Sequence, residues 1–357
     1  MRTLAFYLPQ FHPFPENDRW WGRGFTEWAN VAAAQPRFPG HEQPHLPADL
    51  GFYDLRLPEV RAAQAELAGA HGIDGFVWYH YWFEGRRLME RPFDEVLRSG
   101  EPGLPFALAW ANHSWTRNWN AWNGELLLEQ RFSPGDDTRH LRWLAEAFAD
   151  DRYITVDGRP LLLVTHANRM PEPRATVERW HDESSRLGIA PPYLVRVDIN
   201  ADDTDPRTIG FDACVAFPPV GAELPNRARP RWNDRHQRSV RRAFRDERVH
   251  DYDDIVSLWT RRGLDRSHRT YPCVCPRWDN SPRRDRGAVI LRGATPDAYR
   301  RWLESVHRTF VPYGPDEDLL FVNAWNEWAE GAHLEPCTRW GRAFLRAHLA
   351  LGAAGDR

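Results

Sequence analysis

Two glutamates near the carboxyl-terminal end of the chain are the residues best suited to acid–base chemistry. Glu327 and Glu330 stand three residues apart in the stretch NAWNEWAE at 323–330, which follows an apolar run typical of a buried strand. Burial beside tryptophan raises the pKa of a carboxyl group and makes it a proton donor, whereas a polar neighbour keeps a second carboxyl ionised. Such a pair cleaves glycosidic bonds. The alternative is that one glutamate caps a turn or pairs with an arginine.

The aromatic content indicates a ligand that stacks on rings. The chain has 18 Trp, 18 Phe and 10 Tyr among 357 residues, and many of the tryptophans lie in polar segments where a core would not place them. A pyranose stacks its C–H face on an aromatic ring and pairs its hydroxyl groups with polar side chains. We therefore expect carbohydrate as the partner.

Charge and composition exclude several other classes. The 47 basic and 50 acidic side chains give a net charge of −3, so nothing attracts the chain to nucleic acid. The sequence contains no lysine, which leaves Schiff-base and pyridoxal-phosphate chemistry and Walker-A phosphate loops without their essential residue. The four cysteines are too few for a disulfide scaffold and lack the spacing of a structural zinc site.

Apolar runs and the amino-terminal sequence predict the compartment. No run approaches the ~18 residues of a membrane span, and the first residues lack the pattern of a signal peptide. We expect a cytoplasmic protein without a membrane span.

Short apolar runs alternate with amphipathic segments along the whole chain. Eight runs are predicted strands, at 3–8, 75–79, 106–110, 161–165, 193–197, 213–217, 271–274 and 319–323. Predicted helices occupy 58–71, 93–98, 138–150, 175–187, 251–262, 296–313 and 340–351. This alternation predicts one α/β domain over residues 1–357, a (β/α)8 TIM barrel. The connection at 202–207, between strands five and six, has room for little more than a turn or two.

Two long loops are predicted at the catalytic end of this barrel. They cover residues 9–57 after strand one and 218–250 after strand six, and both begin at the carboxyl end of a strand, where such barrels build their active sites. A dinucleotide fold is disfavoured because no Gly-x-Gly-x-x-Gly follows the first strand.

Polar and aromatic residues leave the predicted strands, and we expect them to bind the substrate. They are Tyr7, Gln10, His12, Tyr79, His80, Trp82, Asn112, His113, Trp115, His166, Trp278, Asp279, Trp325 and Asn326, with Tyr81 and Trp110 as further candidates for stacking. Core packing is the alternative for Tyr7, Tyr79 and Trp110, and a salt bridge to Arg277 or Arg283 is the alternative for Asp279. The histidines come singly, so we expect no catalytic metal and no cofactor.

Several tryptophan-containing motifs resemble one known family. FYLPQFH at 6–12, WWG at 20–22, GFTEW at 24–28 and WNEWAEG at 325–331 look like those of the WbsX-type proteins, which are labelled glycosyltransferases of surface-polysaccharide loci. These proteins are similar in turn to glycoside hydrolase family 99. The resemblance extends over about residues 3–345 and includes GHEQP at 40–44, YHYWF at 79–83, WDN at 278–280 and HLEP at 333–336.

The resemblance implies an activity and residue roles. Family 99 enzymes are retaining, endo-acting α-mannosidases on a (β/α)8 barrel, with two catalytic glutamates spaced like Glu327 and Glu330. By this likeness Glu327 would deprotonate the sugar 2-hydroxyl, which attacks its own anomeric carbon to form a 1,2-anhydro sugar. Glu330 would protonate the departing oxygen and then activate water. His113 and Asn120 depart from acids frequent in the WbsX-type pattern, which bears on an accessory sugar contact.

These observations favour a glycoside hydrolase that cleaves an α-linked glycan of a bacterial surface polysaccharide. A glycosyltransferase of polysaccharide assembly is the main alternative, and a non-catalytic carbohydrate-binding barrel is another. The arginine-rich residues 227–231 and 238–245 fit either a solvated loop and helix face or a lid that holds an anionic group.

Overall fold

A closed ring of parallel strands forms the centre of the computed structural model, which describes residues 1–117, 124–199, 204–219, 224–229 and 238–352. The strands, numbered for the barrel, are β1 Arg2–Tyr7, β2 Gly75–Phe83, β3 Phe106–Trp110, β4 Arg159–Val164, β5 Tyr193–Asp198, β6 Ala213–Ala216, β7 in two pieces (Thr270–Tyr271 and Cys273–Val274) and β8 Leu319–Val322. All eight lie where the sequence predicts them.

The strands pair in sequence order, and β1 closes the ring by pairing with both β2 and β8. The first piece of β7 pairs with β6 and the second with β8. Pro272 separates the two pieces, and its carbonyl accepts the Phe321 N–H at 2.9 Å. The predicted (β/α)8 barrel is thereby confirmed.

Helices surround this ring and fill its loops. They are α1 Pro15–Trp21, α2 Trp28–Ala33, α3 Pro58–Gly69, α4 Arg91–Ser99, α5 Pro134–Phe148, α6 Pro173–Leu187, α7 Arg238–Asp246, α8 Tyr252–Arg262, α9 Pro296–Thr309 and α10 Ala343–Gly352. The seven predicted helices are present. The helices α1 and α2 lie in the first long loop, for which no helix was predicted, whereas α7 coincides with the arginine-rich residues 238–245, for which a helix face was one expectation. Between β5 and β6 the described residues contain only the short 3₁₀ helix Pro206–Ile209.

Strand alternation divides the core into two layers. Leu4 and Phe6 of β1 point into the barrel and pack with inward residues such as Val77. Ala5 and Tyr7 of the same strand face outward, where the helices cover them. Because side chains alternate along a strand, neighbouring residues of one barrel strand cannot both point into the barrel.

Smaller elements shape the end of the barrel where the strands finish. β2 continues beyond the ring and pairs with the short strand Arg86–Leu88, and the parallel strands Arg248–Asp251 and Val289–Arg292 join the loops after β6 and β7. Among the described residues, no helix has the length and apolar character needed to span a membrane.

Candidate active site

One arginine holds three glutamates together where the loops after β1, β7 and β8 meet. Arg283 donates from Nε to Glu27 Oε1 at 2.6 Å and from Nη2 to Glu327 Oε2 at 2.9 Å. Its Nη1 lies 2.8 Å from Glu330 Oε1. The structure therefore brings Glu327 and Glu330 together on a single guanidinium group.

The loops after β7 and β8 are fixed to each other by backbone contacts. Asp279 donates its N–H to the Glu330 carbonyl at 2.7 Å, and Gly331 follows with φ at +62°. A Cβ atom at Gly331 would come within 2.9 Å of the Asp279 nitrogen, so only glycine allows this approach. Arg283 and Glu330 end the 3₁₀ helices Ser281–Arg283 and Trp328–Glu330, which this contact holds side by side.

The side chain of Asp279 is occupied by the protein itself. Its carboxylate is hydrogen-bonded to His41 Nε2 at 2.6 Å and accepts from Gln43 Nε2 at 2.8 Å and from the Ser281 N–H at 2.9 Å. Asp279 thus anchors the β1 loop to the β7 loop. A salt bridge between Asp279 and Arg283 was one of the alternatives considered from the sequence. It is not formed, because Arg283 contacts the glutamates instead.

Asn326 has a comparable structural position. Its Oδ1 accepts the Leu8 N–H at 2.7 Å and its Nδ2 donates to the Leu8 carbonyl at 3.0 Å. This amide clamp ties the end of β8 to the end of β1 and leaves Asn326 fully buried, so its position does not support the expected contact with substrate.

Burial sets the electrostatics of the glutamate pair. The Glu327 side chain is 7% exposed and the Glu330 side chain 21%. Burial raises the pKa of Glu327, Arg283 lowers it, and the charges of Glu330 and Glu27 raise it again, so that it reaches about 8. The pKa of Glu330 is also raised, mainly by burial. Burial therefore favours the state in which the pair holds a proton, which is the state a general acid requires.

A pocket of about 510 Å³ opens beside this cluster, within the size range of small-molecule sites. Its walls combine polar and aromatic side chains, namely Gln10, Trp21, Phe25, Glu27, Asn30, Gln35, Arg37, Arg117, Ser281, Arg283, Arg284 and Asp285, with Ala33, Ala34, Pro36 and Pro282. Of the residues proposed from the sequence to bind substrate, Gln10 lies in this wall.

Aromatic side chains from β2 and the following loops lie near the glutamates. Burial and the negative charge of Glu327 raise the pKa of Tyr79 and Tyr81, so both hydroxyl groups remain protonated. Trp115 packs edge-on against Tyr81, with ring centroids 5.2 Å apart, and lies 5.7 Å from Trp20. Tyr79 and Tyr81 therefore offer rings and hydroxyl groups close to the glutamate pair, and Trp115 lies against Tyr81.

Other predicted residues of β1 and β2 face the helices. The Tyr7 hydroxyl donates to Gln64 Oε1 at 2.7 Å. The His80 ring stacks on Trp143 with centroids 4.5 Å apart, and Trp82 Nε1 donates to the Asp136 carboxylate at 3.1 Å. The positions of Tyr7, His80 and Trp82 do not support contact with substrate. They pack the barrel against its helices.

Asn112 and His166 join the ends of β3 and β4. The Asn112 amide donates to the His166 carbonyl at 3.0 Å and accepts the His166 N–H at 2.8 Å. The His113 and His166 rings lie 4.7 Å apart, and burial lowers their pKa values to about 4 and about 3. Both imidazoles are neutral near pH 7. Position 120, the other departure from the WbsX-type pattern, lies outside the described residues.

The remaining predicted residues are buried. His12 is 2% exposed, and burial lowers its pKa to about 4. Trp278 and Trp325 are 4% and 0% exposed and belong to the layer that packs on the helices, as does Trp110. Within the described ranges, no three His, Cys, Asp or Glu side chains are grouped to hold a metal ion.

A further buried carboxylate, that of Glu335, supports the loop after β8. Glu335 accepts from Tyr53 Oη at 2.8 Å, Gln64 Nε2 at 2.7 Å and Trp328 Nε1 at 2.6 Å, and burial raises its pKa to about 7. It thereby fixes Trp328, which lies in the chain between the two glutamates of the pair. Glu335, the glutamate of the HLEP motif, therefore holds the loop after β8 in place.

The Glu335→Gln variant is expected to lower the free energy of unfolding by about 2–4 kcal/mol, because an amide nitrogen would face donors that now meet a carboxylate oxygen. Urea unfolding followed by tryptophan fluorescence measures the change. The control is Glu304→Gln, a substitution at a half-buried surface position of α9, which is expected to stay within about 0.5 kcal/mol. An unchanged Glu335→Gln protein would show that this network does not stabilise the fold.

Arg283 and Glu27 are the residues of this cluster that were not predicted from the sequence. Glu27 lies in the GFTEW motif, and Arg283 was considered only as a partner of Asp279. They are 256 positions apart in the chain, and no local pattern predicts that they meet. The signal available in the sequence was an acid in a tryptophan-rich loop together with an arginine after strand seven.

Comparison with known proteins agrees with this architecture. Two solved structures resemble the fold: a glycoside hydrolase-like protein, with a TM-score of 0.62, 13% identity, and coverage of 97% of this chain and 92% of that one, and the GH99 endo-alpha-mannosidase from Bacteroides thetaiotaomicron in complex with Bis-Tris-propane. The second has a TM-score of 0.60, 13% identity, and coverage of 99% and 97%. At this identity the likeness concerns the fold.

Sequence relatives are much more similar. The proteins named "Uncharacterized protein WxcX" from two strains of Xanthomonas campestris pv. campestris, B100 and ATCC 33913, are each 44% identical over 355 residues. The alignments include 99% of this chain and 50% of each relative, so the chain spans about half the length of the curated relatives it matches. The profile of the family described as Glycosyltransferase WbsX matches residues 3–348. With that match over nearly its whole length, the chain belongs to the WbsX family.

Proposed function

We propose that this protein is a retaining glycoside hydrolase that cleaves an α-linked, mannoside-like glycan. The observation that carries the proposal is the pair Glu327 and Glu330, buried on the guanidinium group of Arg283, which lines a pocket of about 510 Å³. A buried carboxyl pair with a raised pKa is suited to proton transfer at a glycosidic bond. The likeness of the fold to a GH99 endo-alpha-mannosidase supports the choice of reaction and suggests endo action.

In the proposed reaction the two glutamates have different roles. Glu327 takes the proton of the sugar 2-hydroxyl as that oxygen bonds to the anomeric carbon, while Glu330 gives its proton to the departing oxygen. The resulting 1,2-anhydro sugar is opened by a water molecule from which Glu330 takes a proton, and Glu327 returns a proton to the 2-oxygen. The raised pKa of Glu327 favours the state in which Glu327 holds the proton that the pair shares. The reaction starts from the other state, in which Glu330 holds this proton and Glu327 is ionised.

The pocket suggests how a glycan is held. Trp21 and Phe25 offer rings for stacking, and Gln10 offers an amide for a sugar hydroxyl. Tyr79, Tyr81 and Trp115 are proposed to contact the sugar nearest the glutamates, and His113 and His166 to contribute neutral ring nitrogens. We propose the cytoplasm as the compartment, since the four cysteines are free and buried.

A glycosyltransferase is the second candidate, because the family is described as Glycosyltransferase WbsX. A transferase would need a glycosyl donor, usually a nucleotide sugar, whereas a hydrolase needs only glycan and water. The requirement for a donor therefore separates the two candidates.

The stereochemistry of the first product tests the proposed reaction. Proton NMR recorded during cleavage of an α-linked oligosaccharide is expected to show the α anomer first, with the β anomer appearing only by mutarotation. A β anomer as the first product would contradict the retaining reaction.

A substrate that lacks the 2-hydroxyl at the cleaved residue is expected to be inert, with a rate at least about 10³-fold below that of the parent glycan, because the proposed nucleophile is missing. Matched 2-deoxy and parent oligosaccharides, compared by chromatography, measure this. The 3-deoxy analogue is the control and should still be cleaved. Efficient cleavage of the 2-deoxy substrate would indicate a protein nucleophile instead.

A further inference from the structure

Arg283 contacts each glutamate of the cluster through a different set of N–H groups. Glu27 faces Nε and Nη2, Glu327 faces Nη2, and Glu330 faces Nη1. The side chains of Arg283 and Glu27 are 5% and 1% exposed, so solvent does little to screen these contacts. Glu27 immediately precedes α2, whose first residue, Trp28, packs on Trp328 with ring centroids 5.6 Å apart. Its carboxylate is thus held in place by the fold.

The charges in this cluster are unequal. Three carboxylates share one guanidinium, and buried charge that is not paired is costly. In the part of the chain that the structure describes, the other titratable or charged groups that face the carboxylates are Tyr79 and Tyr81 from β2, Cys275 from the end of β7, and Arg284 beside Arg283. The tyrosines and the cysteine are neutral near pH 7. Glu27 and Arg283 are therefore the charges in direct contact that most affect the pair.

We propose that Glu27 and Arg283 are positioning residues of the glutamate pair: Arg283 holds Glu327 and Glu330 toward one space, and Glu27 orients Arg283 and offsets part of its charge. This inference rests on the proposed hydrolase function. It assigns a task to two residues that do not themselves exchange protons with the substrate.

Opposite charge changes should then move the pH dependence in opposite directions. Glu27→Gln keeps a hydrogen-bond acceptor for Arg283 but removes a negative charge that raises the pKa of both glutamates. Both limbs of the kcat/KM profile should move toward acid, by about one pH unit. Arg283→Gln removes the charge that lowers both pKa values, and its profile should move toward alkaline pH.

The experiment measures pH–rate profiles for the wild type, Glu27→Gln, Glu27→Asp and Arg283→Gln. Glu27→Asp should restore the wild-type limbs, and kcat in Glu27→Gln should fall about tenfold with KM changed less than threefold. Glu183→Gln is the matched control, since Glu183 is also buried and contacts Arg142 and Arg186 on the outer helices. Its profile should not move. If Arg283→Gln does not fold, Glu27→Gln alone decides.

A readout without substrate separates this inference from the proposed function. When the pH rises from about 5 to about 8, the melting temperature of Glu27→Gln should fall by less than that of the wild type. The carboxyl pair of the variant ionises more readily in the folded protein, so less stability is lost as the pH rises. Failure of the wild type to cleave any glycan would refute the hydrolase but leave this comparison intact. Parallel melting curves and unshifted rate profiles for Glu27→Gln would overturn the positioning role.

Discussion

Replacing Glu330 with glutamine is expected to lower kcat for glycan cleavage by about 10³-fold or more while leaving glycan binding within about threefold. The amide cannot protonate the departing oxygen or activate water, and general acid–base catalysis by one side chain contributes about 10²–10⁴-fold. Both of these steps depend on Glu330 in the proposed reaction, so the upper part of that range applies. The Arg283 contact can persist through the amide oxygen, which preserves the pocket.

Steady-state kinetics together with calorimetric titration of an unreactive oligosaccharide test this expectation. The Glu304→Gln variant on α9 is the control, since Glu304 lies in a partly exposed ion pair with Arg300 and should keep full activity. A leaving group of low pKa, such as a nitrophenol, should restore part of the rate in Glu330→Gln because it departs without a proton. A Glu330→Gln enzyme with unchanged kcat would remove Glu330 from the mechanism.

The Glu327→Gln variant is expected to be inactive and, at alkaline pH, more stable than the wild type. The pKa of Glu327 is about 8 in the folded protein and about 4.3 in an unfolded chain. Because the folded state binds this proton more tightly, its contribution to stability is complete below about pH 4 and is lost as the pH rises to about 8. Glutamine does not ionise and avoids this loss.

The expected gain at pH 8.5 is roughly 2–3 kcal/mol, or about 5 °C in melting temperature, with little difference at pH 5. Differential scanning calorimetry of both proteins across this range measures it. Glu183→Gln, which removes a buried glutamate in contact with two arginines, should show no such gain. A constant difference between Glu327→Gln and wild type at all pH values would contradict the raised pKa.

The barrel could be predicted because its strands are buried on both faces. Each of the eight is a short apolar run, and hydrophobic periodicity is the property that sequence reports best. The helices α1 and α2 were not predicted, since each has only 7 or 6 residues and is stabilised by contacts of the β1 loop. Trp28 of α2, for example, donates from Nε1 to the Tyr53 carbonyl at 2.8 Å, a contact with no local signal.

The site was predicted in part. The structure brings Glu327 and Glu330 together as their spacing suggested, and it also shows the alternative considered for them, since both pair with Arg283. Their catalytic role stays a prediction. Tyr79 and His80 were both expected to face the substrate, although adjacent residues of a strand point to opposite sides, and the structure turns His80 toward α5. Strand alternation applied to β2 would have favoured Tyr81 over its neighbours His80 and Trp82.

Amide and carboxylate side chains were the hardest to assign from sequence. Asp279 and Asn326 look like ligands because they are polar and follow strands. In the structure they bind His41, Gln43 and the backbone of Leu8, all from the loop after β1. Pairings between residues so distant in sequence depend on the assembled barrel and leave no periodic pattern.

The most direct test of the account is incubation of the purified protein with α-linked mannan and surface-polysaccharide oligosaccharides, with and without nucleotide sugars, followed by mass spectrometry. We predict shorter fragments in the absence of any nucleotide sugar, carrying oxygen from isotopically labelled water at the new reducing end. Longer products that form only when a nucleotide sugar is present would contradict hydrolysis, and the acid–base roles of Glu327 and Glu330 would have to be withdrawn.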